Sequence, residues 1–376
     1  MDRSRRSILS IGAGSIATAV AGCLSESDLQ GSEGGYAAFF TLQDWANAVG
    51  GDHITFETPI DVGDMGHGWS PSSDLITELG TSRVFIYLDS PAFSWAQDAA
   101  DVIERDYDDV TLVDALDGLD LLATDHEITH DDGHHEDGEH DHDEGDDHHE
   151  DGEQDHDEGD DHHEDGEHDH DEGDDHHEDG EHDHDEGDDH ADEHDHGQYD
   201  PHAWVDPVRA TQMVETIADG LARVEPDHED SFRENAAAYT DQLDDLDRQF
   251  RTLVSDIGGP IGVLASHDSF RYLQDRYGFV LHTPAGISPD QSPSQSEIAE
   301  TIDFVDSNGI ETVLYDRFES DRLARTIVEN SDATSTEAIS PAAGTTETWA
   351  ENGWGYVEQM AEINVPALEA ALVSRD

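Results

Sequence analysis

Apolar positions along the chain follow two alternating rhythms. Residues 36–40, Tyr-Ala-Ala-Phe-Phe, form a short unbroken apolar run that predicts a buried strand, and a helical period follows over 42–49. Residues 54–56 predict a second strand and 72–79 a helix. Residues 84–88, Val-Phe-Ile-Tyr-Leu, predict a strongly apolar strand, and a helix over 94–104 and a strand over 110–113 continue the alternation. Strand and helix in turn at this spacing predict an α/β domain with a mainly parallel sheet and flanking helices.

The rhythm breaks at 125–197 and resumes with a helix over 207–223. In the segment 227–258, Phe232, Ala236, Tyr239, Leu243, Leu246, Phe250, Leu253 and Ile257 recur in steps of three and four. They make one apolar stripe about seven turns long. No Pro or Gly interrupts it, so it predicts a single helix linking two domains; the stripe would also suit one arm of a coiled coil. Gly258-Gly259-Pro260 closes it. A second α/β unit then follows: strands at 261–265, 279–282 and 312–315, helices at 269–277, 294–308 and 322–329, and a last helix over 354–370.

The segment 125–197 is a low-complexity insert of a different kind. It repeats every 14 residues from Asp160 to Gly173 and again from Asp174 to Gly187. It carries almost no apolar side chain to offset the entropy of ordering, which predicts disorder in the absence of metal. As a flexible chain it would span on the order of 45 Å, and more when its charges repel.

Composition sharpens this picture. The chain of 376 residues has 94 acidic residues against 16 basic ones, all of them Arg. The insert holds 39 of the acids, which leaves 55 acids against the same 16 Arg in the rest. Such an excess excludes nucleic acid as a partner. A body this acidic and free of Lys points to adaptation to high salt, where screening shortens charge repulsion to a few ångströms, as in a halophilic archaeon.

The N-terminus accounts for the lone cysteine. Ser4-Arg5-Arg6-Ser7-Ile8-Leu9 has the twin-arginine export pattern. The apolar run 8–21 is too short to span a bilayer, and Val20-Ala21-Gly22-Cys23 resembles a lipoprotein cleavage box. Residues 1–22 are therefore expected as a signal peptide, Cys23 as a lipid anchor on the outer face of the membrane, and 23–35 as a flexible tether. With one Cys there is no intrachain disulfide and no Cys-rich metal site. Any metal must be held by His and carboxylates.

Twenty of the 26 histidines lie in the insert; the others are His53, His67, His202, His228, His267 and His282. His67 sits in Gly66-His67-Gly68 on a strand-to-helix loop. His202 is held between Pro201 and Pro207 with Trp204 as an apolar wall and Asp200 or Asp206 as a partner for its ring. His267 directly follows the strand at 261–265. Ligands of open α/β sheets bind where such loops gather at strand C-termini. The competing reading of His267 is a mere neighbour of a helix cap formed by Ser266 or Asp268. His53, His228 and His282 lack this context and read as surface residues.

Together these loops resemble the zinc/manganese-type substrate-binding proteins of ABC importers (cluster A-I, or cluster 9), over nearly all of 36–376. His67 stands ahead of Pro71-Ser72-Ser73-Asp74, His202 lies in the Pro201–Pro207 box, His267 follows the first strand of the second unit, and Gly286-Ile287-Ser288-Pro289 matches a further signature. The resemblance implies two Rossmann-like lobes, each a mainly parallel sheet with flanking helices, joined by one long rigid helix. The lobes would cover 36–226 and 259–376, with 227–258 as the link. It implies a cell-adhesion-family-like lipoprotein, a monomer, that captures Zn2+ with His67, His202 and His267 and delivers it to a permease and its ATPase. The His-rich insert would gather metal nearby. His at the third position is of the zinc type; Mn2+ is the alternative cargo, and a surface metal buffer or sensor the alternative role. A zinc hydrolase is disfavoured, because no general-base motif such as His-Glu-x-x-His is present. One departure stands out: Ser340 occupies the place of an expected Asp ahead of Pro341. The fourth ligand is then water, a carboxylate such as Asp316, or a His of the insert.

Overall fold

The computed structural model describes residues 34–66, 68–124, 199–286 and 292–374. The expected signal peptide 1–22, Cys23, the tether to residue 33, His67, the insert 125–197 and Ile287-Ser288-Pro289 lie outside the described residues.

Four strands of the first lobe, β1 (Gly35–Ala37), β2 (Phe56–Glu57), β3 (Val84–Tyr87) and β4 (Thr111–Asp114), form one parallel sheet in the order β2-β1-β3-β4. The register places Tyr36 beside Phe85 and Ile86 beside Val113. Gly35 is required by close packing: a Cβ there would lie 2.9 Å from the Val84 carbonyl oxygen and closer still to the Phe56 ring. The helices α1 (Phe40–Gly50), α2 (Leu75–Leu79) and α3 (Ser94–Asp106) join these strands. The apolar run at 36–40 is shorter as a strand than its pattern predicts. The ladder ends where the Ala38 N–H donates to the Ile86 carbonyl, and Phe39 turns the chain into α1 while its ring stacks on Phe93 at 4.9 Å.

Helix α4 (Pro207–Val224) starts with Pro207 at its first position, and the Asp206 side chain accepts from the Val208 N–H at 3.0 Å. Helix α5 (Glu229–Ser255) has 27 residues and is about 40 Å long at 1.5 Å per residue. Its predicted stripe is its buried face: Phe232, Ala236, Tyr239, Leu243, Leu246 and Phe250. Leu253 and Ile257 are only partly covered.

The second lobe begins with β5 (Pro260–Val263), which pairs parallel with β6 (Val280–His282) and antiparallel with β9 (Val373–Ser374). A parallel bridge from Leu264 to Leu314 carries the sheet on to β7 (Thr312–Asp316) and its parallel neighbour β8 (Ser335–Ile339). Helices α6 (Arg271–Tyr277), α7 (Gln295–Asn308) and α8 (Arg322–Glu329) connect them. A capping box between Ser294 and Glu297 starts α7. Strand β8 is absent from the sequence reading because Ser-Thr-Glu-Ala-Ile alternates exposed and half-buried positions with little apolar content. The last predicted helix is interrupted. After α9 (Glu347–Glu351), the chain runs through α10 (Tyr356–Gln359), a π-helical turn at Met360–Asn364 and α11 (Val365–Ala371). Pro366 has no N–H to donate into the preceding turn and its ring crowds the carbonyl four residues back, which favours the widened turn.

A continuous apolar core runs from the first sheet through α5 to Phe270, Leu273, Tyr356 and Met360, and a smaller one gathers Val263, Val305, Val313, Ala324 and Ile327. The lobes are also tied by hydrogen bonds. The Tyr272 hydroxyl donates to the Asp200 carbonyl at 2.6 Å and accepts from the Leu122 N–H at 3.0 Å. Arg271 donates to the carbonyls of Ala123 and Thr124. His282 is a correction to the sequence reading. It is half-buried rather than on the surface, because α7 packs over β6, where the His282 ring stacks on Phe304 at 4.5 Å and bonds Thr301. His53 is exposed, as expected, while His228 is half-buried, and the two rings stack on each other at 3.8 Å.

Candidate metal centre

His202 lies in the turn between the insert and α4. Asp200 fixes it twice: Oδ1 accepts from the His202 backbone N–H at 3.0 Å and from ring Nδ1 at 2.7 Å. A carboxylate at Nδ1 selects the tautomer that carries its proton there, so Nε2 is the lone-pair nitrogen. Both residues are buried, and Trp204 supplies the apolar wall that the sequence predicts, 5.1 Å from the imidazole. Trp204 is itself held by its indole N–H, which donates to the Pro341 carbonyl at 2.8 Å. Burial pushes the His202 pKa down, and Asp200 only partly offsets this. The ring is therefore neutral at neutral pH, which is the metal-binding form.

His267 leaves the C-terminal end of β5 and is also buried. Its Nδ1 is hydrogen-bonded to Glu319 Oε1, and Nε2 is the other ring nitrogen. Burial disfavours its charged form, but the Glu319 hydrogen bond and the charges of Asp316, Glu319 and Asp268 outweigh it and raise the pKa. Of the two neighbours read as possible helix caps, Asp268 serves the start of α6 and Ser266 does not. Asp268 accepts from the Phe270 N–H to start the turn into α6, and Ser266 Oγ accepts from the Asp316 N–H.

The structure brings these two histidines together from distant parts of the chain. Their ring centroids are 5.5 Å apart, with the planes inclined by 43°. Two imidazoles sharing a tetrahedral zinc with Zn–N bonds of about 2.0–2.1 Å have centroids separated by about 5 Å, so this spacing fits. The third predicted ligand, His67, lies outside the described residues.

Two carboxylates belong to the same place. One ligand atom from each of His267, Asp316 and Glu319 lies within 4.8 Å of the others. Asp316 ends β7 and is completely buried; burial pushes its pKa up to about 7, against the Phe318 N–H, which donates to Oδ1 at 2.8 Å. Glu319 is invisible to motif reading, because nothing in Arg317-Phe318-Glu319 marks it. Its signal would have been position, three residues beyond a strand that ends beside β5. Ser340 plays a structural part. Its hydroxyl donates to Gln359 Oε1 at 2.7 Å and accepts from the Ala342 N–H, while its backbone exchanges two bonds with the Asn364 side chain.

A protein-family model described as zinc-uptake complex component A, periplasmic, matches residues 36–371. The zinc-binding lipoprotein AdcA of Streptococcus pneumoniae strain R6 is 25% identical over 347 residues, covering 92% of this chain and 57% of AdcA. The high-affinity zinc uptake system protein ZnuA of Bacillus subtilis strain 168 is 29% identical over 174 residues, 46% of this chain and 54% of ZnuA. The chain thus spans just over half the length of the curated relatives it matches. Among solved structures, the Zn(II)-bound ZnuA-like domain of S. pneumoniae AdcA superposes with a TM-score of 0.62 at 23% identity, covering 90% of this chain and 98% of that one. The metal-dependent lipoprotein YcdH of B. subtilis superposes with a TM-score of 0.64 at 19% identity, covering 91% and 100%. At these identities the structural likeness shows the two-lobe fold. No helix among the described residues is long and apolar enough to cross a membrane.

Proposed function

This chain belongs to the family of the periplasmic zinc-uptake component A, and on that premise we propose that it captures Zn2+ between its lobes through His67, His202 and His267. It is a binding protein and not an enzyme. The observation that carries the reading is a pair of buried imidazoles 5.5 Å apart, each oriented by a carboxylate at Nδ1. Two oriented imidazoles brought together from distant segments of the chain offer a metal two nitrogen ligands.

In this reading 36–226 and 259–376 are the metal-binding lobes and 227–258 the link between them. The protein is a monomer outside the cytoplasm, held to the membrane by lipid on Cys23, and passes zinc to an ABC permease with its ATPase. The insert gathers metal. Its roots at Ala123 and Tyr199 pair with each other, and Tyr199 is three residues from His202. Weak His and carboxylate sites tethered there raise the local zinc concentration.

The test is competition with a chromophoric chelator on single Ala variants of His67, His202 and His267. Each is expected to lose about tenfold or more in affinity at the tight site; unchanged affinity in all three rejects the assignment. The carboxylate of Asp316 beside His267 makes Mn2+ the alternative cargo. Tighter binding of manganese than zinc in the same assay would select it.

A further inference from the structure

We propose that Asp316 is the carboxylate ligand of the metal in this chain, and that Glu319 is the positioning residue that holds His267 toward it. The inference rests on the metal-binding reading above and names the part of the coordination that the histidines leave open.

Three observations converge on Asp316. It sits at the C-terminal end of β7, one strand over from β5, whose end delivers His267. It is completely buried, and its Oδ2 has no hydrogen-bond partner among the described residues, while Oδ1 is occupied by the Phe318 N–H. It shares the 4.8 Å cluster with His267 and Glu319. A buried carboxylate with one oxygen unsatisfied carries a large desolvation penalty unless a cation compensates it. Arg is the only basic residue besides His in this chain, and no Arg ion pair to Asp316 is present among the described residues.

Ser340 is committed to other contacts. The position where a carboxylate is expected from the resemblance is here spent on Gln359, Ala342 and Asn364, which pin the β8 exit to the C-terminal helices. In this chain a buried acid stands instead at the end of the neighbouring strand β7. Glu319 differs from Asp316 in both exposure and partner. It is about a quarter exposed and engages His267 Nδ1, the outer-shell arrangement that fixes an imidazole ligand.

The experiment compares Asp316→Asn, Glu319→Gln and His202→Ala in the full chain, each with zinc affinity and with melting temperature in the metal-free and zinc-loaded states. Asp316→Asn is expected to weaken tight binding by ten- to a hundredfold. Its metal-free melting temperature should stay close to that of the wild type, and the zinc-induced rise in melting temperature should shrink. Glu319→Gln should weaken binding less, and a Co2+-loaded sample should keep the wild-type visible spectrum, whereas Asp316→Asn should change it. If Asp316→Asn lowers the metal-free melting temperature and leaves the zinc-induced rise and the Co2+ spectrum intact, Asp316 is structural and the proposal is overturned. If His202→Ala abolishes tight binding while Asp316→Asn leaves it unchanged, the ligand assignment fails and the zinc-binding reading stands. If His202→Ala also leaves it unchanged, the reading beneath it fails.

Discussion

Arg276, on α6 of the second lobe, donates through Nε to both carboxylate oxygens of Asp206, at 2.6 and 2.7 Å, and Asp206 at the start of α4 is completely buried. Asp206 has two other duties. It accepts from Arg209 at 2.7 Å and caps α4. One acid thus holds the end of the insert's return path, the first turn of α4 and the second lobe together.

Removing Arg276 leaves that buried charge with Arg209 and the cap alone. Arg276→Ala is expected to destabilise the protein by about 2–3 kcal/mol, less than the loss of an only partner would cost. Urea unfolding measures it. Adding Asp206→Asn should recover part of the loss, giving a coupling energy of about 1 kcal/mol or more. Strictly additive effects would show that the contact is not energetically coupled.

Asp114 gives a pH-dependent prediction. Burial pushes its pKa up to about 6, only partly offset by the N–H groups of Asp89 and Leu116, which donate to Oδ1 at 3.0 Å. In the unfolded chain the group titrates near 3.9. Between these values the folded state holds more protons, so stability from this group is present at low pH and is lost as pH rises through about 6. Asp114→Asn keeps the accepting oxygen and removes the charge. It should stabilise the metal-free protein by roughly 1–3 kcal/mol at pH 7 and give no gain below about pH 4. Denaturation at both pH values checks this; an equal effect at the two would contradict the burial argument.

The roots of the insert make its removal a clean test. Ala123 and Tyr199 form an antiparallel bridge, and the Asp200 N–H donates to the Leu122 carbonyl at 2.8 Å, so the body itself holds the two ends together. Replacing residues 126–196 with a short Gly/Ser link should leave the fold intact and add up to about 2 kcal/mol through the smaller loop-closure entropy. Equilibrium dialysis should find one tight zinc retained and several weak ones lost. Disappearance of the tight zinc would place the site in the insert and end the interlobe reading.

Much of this protein is written locally. The alternation of apolar strands with helical periods set the α/β class, and the three-four stripe from Phe232 to Phe250 set the long helix, because buried faces must repeat with the period of their own backbone. His202 and His267 could be singled out because Pro201 and the end of β5 are local features that put a side chain at a strand or turn terminus. The sequence could not say that these rings lie 5.5 Å apart, nor that Asp316 and Glu319 rather than the Ser340 position bring acid to His267. Those are distances between segments far apart in the chain, fixed by which strand ends lie side by side. Strand β8 and the buried side of His282 escaped for the same reason: a polar pentapeptide becomes a strand, and an imidazole becomes half-covered, only when a neighbour supplies the ladder or the packing. Local pattern thus determined the elements and the candidate ligands, and only the tertiary placement of distant strand and turn ends side by side decided which side chains meet.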